Sequence, residues 1–178
     1  ITDRRAGRPS DEENRRVLAK LREGLKPPAG VEVILETVAE HRALLVLRGD
    51  GLDDDVGETD PQAVGVPPLS PSRAPHEGSR TAKVYADIAD QVRDLLRGEP
   101  AMNMILARGF AMLPDWPTFA DRFKLDPVAV AGYPMYRGVA RLVGMRVVAQ
   151  PTTALDVCRQ AGEASTQHTF VFAHFKYT

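Results

Sequence analysis

A chain of 178 residues is long enough for one large domain or two small ones. Its 43% hydrophobic and 26% charged content is ordinary for a soluble globular protein. A net charge of -1 gives no general attraction to nucleic acid or an anionic membrane, and no apolar run approaches the roughly 18 residues of a spanning helix, so neither partner is expected. The single cysteine, Cys158, cannot form an internal disulfide, so a cytoplasmic location is expected. The chain opens on Ile1 and closes on an apolar strand; a segment of a longer protein, without a signal peptide, is expected.

In chain order, Asp3, Arg4, Arg5 and Arg8 come first. Such arginines either bind a phosphate bidentately or form a solvated entry segment. Ser10 and Glu13 have the spacing of a capping box. Val17, Leu18, Leu21 and Leu25 give the helix behind them, Ser10–Lys26, one apolar stripe, and Pro27-Pro28 stops it. Val31, Val33 and Leu35 alternate with Glu32, Ile34 and Glu36 as a half-buried strand. Ala43–Leu47 is wholly apolar and is predicted as a second, central strand, joined to the first as a hairpin. His41 and Arg42 precede it and Arg48 follows it. An arginine at each strand end could grip an anion; otherwise both are exposed charges. His41 has no second histidine at ligand spacing, which makes it a hydrogen-bonding residue rather than a metal ligand.

Gly49–His76 reads as a loop, rich in Pro67, Pro68, Pro71 and Pro75. Asp53-Asp54-Asp55 lacks the calcium-loop register and reads as a solvated acidic turn. Thr59-Asp60-Pro61 favours an extended turn, and a loop this long is uncommon unless functional or mobile. Ser79 or Thr81 caps a helix, Ser79–Arg97, whose inner face is Val84, Ile88, Val92, Leu95 and Leu96, with Tyr85 adjoining. Met102–Ala107 is predicted as a short strand ending on Arg108-Gly109. Leu113–Pro117 is a rigid connector in which Trp116 is expected to act as a packing wedge, and a short helix runs through Phe119 and Phe123.

Val128–Ala131 then suits a strand covered on both faces. A helix carrying Tyr136, Val139, Ala140 and Val143 ends at Gly144, and Met145, Val147 and Val148 begin another strand. Thr152 or Thr153 caps a helix with Ala154, Val157, Cys158 and Ala161 inward, so that Cys158 is expected as a small buried apolar residue. Phe170–Phe175 is the last strand, followed by Lys176, Tyr177 and Thr178. Strand, helix, strand is the unit of a parallel sheet, and such sheets gather functional groups where strands end and helices begin. That junction carries Tyr133, Tyr136 and Arg137.

Five stretches resemble, in order, the archaeal-type cofactor-independent phosphoglycerate mutases of the alkaline phosphatase superfamily. They are DRRAGRPS (Asp3–Ser10), HRALLVLRGDGL (His41–Leu52), ETDP (Glu58–Pro61), NMILARG (Asn103–Gly109) and AGYPMYRGVARLVGM (Ala131–Met145). The sequence departs from the family at Ala107–Ala111, ARGFA in place of RGAG, and at Gly57–Pro61, where a Ser-Asp-Thr-Asp-Pro pattern is usual. The resemblance implies an α/β fold: a mixed-sheet inserted substrate domain over residues 1–110, then a parallel βαβ part of an alkaline-phosphatase-like core over 111–178. It implies a parent enzyme that interconverts 3-phosphoglycerate and 2-phosphoglycerate, with a serine holding the phosphoryl group and two divalent metal ions (manganese, magnesium or zinc). No residue here matches the family's serine or metal ligands, so this segment is expected to bind no metal and to be inactive alone. The substrate residues it implies are His41, Arg42, Arg48, Asp60, Asn103, Arg108, Tyr133 and Arg137, with phosphoglycerate as partner and the oligomeric state open. The alternative is a non-catalytic anion-binding or regulatory domain of the same fold.

Overall fold

Ser10 starts the first helix as its position predicts. In a computed structural model, which describes residues 1–72 and 78–176, Ser10 Oγ accepts the Glu13 backbone N–H at 3.1 Å at the head of α1 (Asp11–Gly24). Only half of the capping box forms, because the Glu13 carboxylate turns instead to Arg16, one turn on, at 2.7 Å. Val17, Leu18 and Leu21 are buried, and so is Asn14, one turn earlier on the same stripe.

Strands β1 (Glu32–Ala39) and β2 (Arg42–Arg48) form the expected antiparallel hairpin, with Glu32 opposite Arg48 and Thr37 opposite Ala43. The register slips between Thr37 and Ala39, and Glu40 closes the turn at φ +51. β2 is not central: among the described residues this sheet has two strands, and each of them is an edge. Leu45 and Leu47 pack toward the core while Leu44 is half exposed on the opposite face, as the period of 2 requires.

Helix α2 (Arg80–Leu95) takes Ser79 as its cap, the hydroxyl accepting the Ala82 N–H; Thr81 instead accepts the Asp53 N–H at 2.7 Å. Val84, Ile88, Val92 and Leu96 meet Val17, Leu18, Leu21, Val31 and Leu35 in one core. Met102–Ala107 is not a strand. Met102 and Ile105 pack singly on the core, and the Ala107 N–H and C=O bond to Thr59, at 2.8 and 2.9 Å, instead of to a ladder.

A second unit is built on β3 (Pro127–Ala131), all five residues of which are buried. α3 (Phe119–Phe123) precedes it; α4 (Pro134–Leu142), β4 (Arg146–Val147), α5 (Ala154–Ser165) and β5 (Phe170–His174) follow. The sheet order is β4-β3-β5, with both neighbours parallel to β3. The chain is thus α/β, with a small antiparallel sheet and a three-stranded parallel one. β4 is shorter than predicted, although the Val148 N–H still reaches the Ala129 carbonyl at 3.1 Å. Cys158 is exposed, not buried, as is Ala154: only Val157 of α5 is fully covered, because three short strands offer a narrow face. Trp116 is 56% exposed and wedges nothing.

The chain divides into two compact units, Ile1–Met112 and Leu113–Thr178. Among the described residues no helix is long and apolar enough to cross a membrane. Pro75 and His76 of the predicted loop, and the terminal Tyr177 and Thr178, lie outside the described residues.

Candidate anion-binding site

The arginines near the N-terminus sit on a loop that the sequence ties to itself. Asp3 accepts the N–H groups of Arg5 and Gly7 on its two carboxylate oxygens, both at 2.7 Å. Those two bonds hold its carboxyl below the usual range. Ala6, Gly7 and Arg8 are consecutively left-handed, at φ +50, +72 and +55. Only the glycine adopts that conformation without cost; the other two persist because the surrounding bonds hold them. The loop thereby presents Arg4, Arg5 and Arg8 from one tight turn.

Arg4 faces Asp60. Its Nε and Nη2 reach the two Asp60 oxygens at 2.8 and 2.5 Å, a bidentate fork. Arg108 Nη1 approaches the same carboxylate at 3.5 Å, and the Gln62 N–H donates to it at 2.9 Å. Asp60 is 7% exposed, and Arg4 first, then the Gln62 N–H, hold its carboxyl at about 2. The guanidinium of Arg108 remains 52% exposed. Below them, Thr59 ties three segments together. Its N–H donates to the Ala107 carbonyl, its hydroxyl oxygen accepts the Ala107 N–H, and the same hydroxyl meets the buried Tyr85 hydroxyl at 3.2 Å. Glu58 accepts the Gly109 N–H at 3.1 Å.

His41 and Arg42 occupy the tip of the β1–β2 hairpin. Partial burial, then the positive charge of Arg42, with smaller effects from Arg5 and Arg8, lowers the His41 pKa below its ordinary 6.5. Its Nδ1 is buried without a hydrogen-bond partner, 3.8 Å from a Glu40 oxygen. Three arginines, two from the N-terminal loop and one from the hairpin tip, thus act on His41, and the single carboxylate of Glu40, 4.0 Å from Arg8, offsets them only in part, which leaves a place for a phosphate or carboxylate.

The other expected residues lie elsewhere. Arg48 is at the far end of β2, paired with Glu32 at 2.8 Å and largely exposed. Asn103 is exposed in a shallow depression with Arg93, Arg97 and Met104. In the second unit, Arg137 Nη1 donates to the carbonyls of Ala131 and Val148, at 3.0 and 3.1 Å, and so staples the end of β3 to the segment after β4. Tyr133 is the N-cap residue of α4 and lies under the Lys176 ammonium, 4.2 Å from its ring centre. Tyr136 stacks on His174, ring centres 3.8 Å apart. Within the first unit, the guanidinium groups at Asp60 are those of Arg4 and Arg108. Arg4 has no spacing signal toward Asp60, since 56 residues separate them. Asn14 did carry one: it continues the apolar stripe of α1 with a polar side chain.

Among the described residues no three His, Cys, Asp or Glu side chains gather where they could hold a metal ion. The described residues therefore assemble no two-metal centre of the kind the resemblance implies.

The family model for 2,3-bisphosphoglycerate-independent phosphoglycerate mutase matches residues 1–102. The chain is 47% identical over 148 residues to a probable enzyme of that name from Thermus thermophilus, covering 83% of this chain and 36% of the relative. It is 40% identical to one from Thermosipho africanus, covering 100% of this chain and 44% of the relative. A solved cofactor-independent phosphoglycerate mutase from Thermoplasma acidophilum superposes with a TM-score of 0.66 at 27% identity, over 97% of this chain and 50% of that one. The chain thus spans less than half the length of these curated relatives. By that match, by the agreement of both sheets with the solved fold, and by the order of its motifs, the chain belongs to the 2,3-bisphosphoglycerate-independent phosphoglycerate mutase family.

Proposed function

We propose that this chain is the substrate-gripping part of a phosphoglycerate mutase that interconverts 3-phosphoglycerate and 2-phosphoglycerate. Residues 1–110 form the inserted substrate domain and 111–178 a part of the phosphatase-like core. Its serine nucleophile and its two divalent metals, manganese among the candidates, are held by the remainder of the parent enzyme. The observation that carries the reading is the strained, carboxylate-tied loop that turns Arg4 to Asp60 and sets Arg5 and Arg8 near the His41-Arg42 tip, Arg8 Nη1 lying 4.0 Å from Glu40. Arg108, anchored at Asp60 and still half exposed, supplies a further cation. Guanidinium forks suit a phosphate and a carboxylate, and they bind ground state and transition state about equally. Affinity without turnover is the expected property. In the second unit, taken by itself, Tyr133 and Arg137 remain candidates at the carboxyl end of β3, where parallel sheets place ligands. Arg48 and Asn103 remain candidates in their exposed positions.

Calorimetric titration of the chain with 3-phosphoglycerate, paired with an enolase-coupled assay in added manganese, tests this. Binding in the millimolar range or tighter, with no turnover, is expected. Arg108→Gln should weaken binding about tenfold, one charge-assisted bond's worth, while leaving Arg4 on Asp60 and the fold intact. Bound anion gives His41 a partner for its charged form, so the imidazole pKa, followed by NMR, should rise on saturation, and affinity should improve as pH falls. Turnover surviving repurification would mean that the nucleophile lies within this chain. Absence of binding would favour the regulatory alternative.

A further inference from the structure

The helix α1 carries one side chain that its own packing does not need. Asn14 is 1% exposed and sits on the stripe continued by Val17, Leu18 and Leu21, where an apolar residue would serve the helix as well. A buried amide costs free energy unless its donors and acceptor are matched. They are matched at one place. Nδ2 donates to the Glu40 carbonyl at 2.6 Å and to the Arg42 carbonyl at 3.1 Å, and Oδ1 accepts the Thr37 hydroxyl at 2.9 Å. Asp11, a turn earlier, accepts the Glu40 N–H at 2.7 Å. These are the backbone groups around the register slip, where the ladder between β1 and β2 is interrupted. Glu40 itself is held left-handed at φ +51, a conformation a non-glycine residue keeps only under constraint.

We infer that Asn14 is a positioning residue for the anion grip: its amide clamps the two carbonyls that bracket His41 and so fixes the hairpin tip that presents His41 and Arg42. It carries no charge and does not touch the anion. Its effect on binding rests on the function proposed above; its effect on the tip does not. A helix turn reads the backbone on both sides of one residue, so the imidazole and the neighbouring guanidinium start from a single orientation, and binding does not have to order them. Asp11 completes the clamp by holding the amide of Glu40 while Asn14 holds its carbonyl.

The test compares Asn14→Leu, of similar size but without donors, with Val92→Ala, a core variant of α2 that lowers stability without contact to the tip. Amide hydrogen exchange and NMR shifts at Glu40, His41 and Arg42 are read in both, together with 3-phosphoglycerate affinity. Asn14→Leu should raise exchange at the tip and weaken binding, each by about tenfold, the equivalent of one or two lost hydrogen bonds. Val92→Ala should leave both near wild type. Tip exchange and shifts unchanged in Asn14→Leu would overturn the inference whether or not the anion binds. So would equal loss of affinity in the two variants, since that reports stability alone. If the wild-type chain binds no 3-phosphoglycerate, the proposed function fails and the exchange data alone decide the role of Asn14. Should Asn14→Leu not fold, Asn14→Ser decides: it keeps one donor on a smaller side chain, and it should loosen the tip partially, with an unchanged tip again counting against the inference.

Discussion

Asp60 is where single-residue chemistry is most exposed to test. Its carboxyl is held at about 2, first by the Arg4 fork, then by the Gln62 N–H, with Arg108 adding a smaller share, against a burial effect of opposite sign. A depressed acid stabilises the fold above its unfolded pKa, ordinarily 3.8, and that contribution is lost as pH falls through 2. Asp60→Asn should therefore cost roughly 2 kcal/mol at pH 7, because it leaves a partly buried guanidinium without its counter-charge. The gap from wild type should narrow as pH falls below 3.8 toward 2, where the folded carboxyl is half protonated. Urea unfolding at pH 7 and pH 2 measures it; a pH-independent difference would mean that the ion pair contributes nothing. Glu99 is also held at about 2, by Arg16 first and then Lys20, so acid unfolding of the wild type alone would not separate the two. The sequence placed Asp60 in a functional loop through its proline neighbour and the family motif. It gave no hint that Arg4 would be its main partner, because an ion pair 56 residues apart leaves no periodic trace.

At the scale of elements, α2 does two jobs with adjacent residues. Ile88 and Val92 face the core, while Tyr85, also fully buried, reaches out of it to the Thr59 hydroxyl and packs edge-on against Phe110, ring centres 5.2 Å apart. The helix thereby sets the height of the two loops that carry Asp60 and Arg108. Tyr85→Phe keeps the shape and removes one buried hydrogen bond, so a loss of about 1 kcal/mol is expected, with faster amide exchange confined to Thr59 and Ala107. Ile88→Ala opens a cavity and should cost about 3 kcal/mol with exchange rising over the whole unit. Thermal melts with residue-resolved exchange separate the two patterns; a global response to Tyr85→Phe would show that the hydroxyl supports the core and not the loops. The element that failed to form is instructive in the same way. Met102–Ala107 has the apolar run of a strand but joins neither edge of the β1–β2 sheet, and the backbone bonds of Ala107 go to Thr59 instead.

For the whole molecule, the core cluster of the first unit runs from Val17 to Leu96 and, among the described residues, takes none from beyond Met112. A chain ending at Met112 should accordingly fold alone, with the helical signal of α1 and α2 and one cooperative thermal transition. Circular dichroism of residues 1–112 decides it; a non-cooperative melt would mean that the division proposed at 110 and 111 is not a folding boundary. The second unit exposes Leu155, Val139, Met135 and Leu142 on its two longer helices, apolar surface that its three-stranded sheet is too narrow to cover.

What the sequence determined by itself was local and periodic. Serine caps, the stripes of α1 and α2, the alternation of β1, the uninterrupted apolar run of β3 and the βαβ order are each written within a few adjacent residues, because dihedral preference and the 3.6 and 2 repeats act at that range. The motifs in their order carried the family. What only the tertiary structure decided was pairing between distant segments and the depth of cover. Arg4 met Asp60, Asn14 met the carbonyls of the hairpin tip, Arg137 turned to two strand ends, and Cys158 and Trp116 stayed outside. Burial depends on how wide a sheet becomes, and hydrogen-bond choice depends on which backbone groups a register slip leaves open. Both are fixed only when the elements pack.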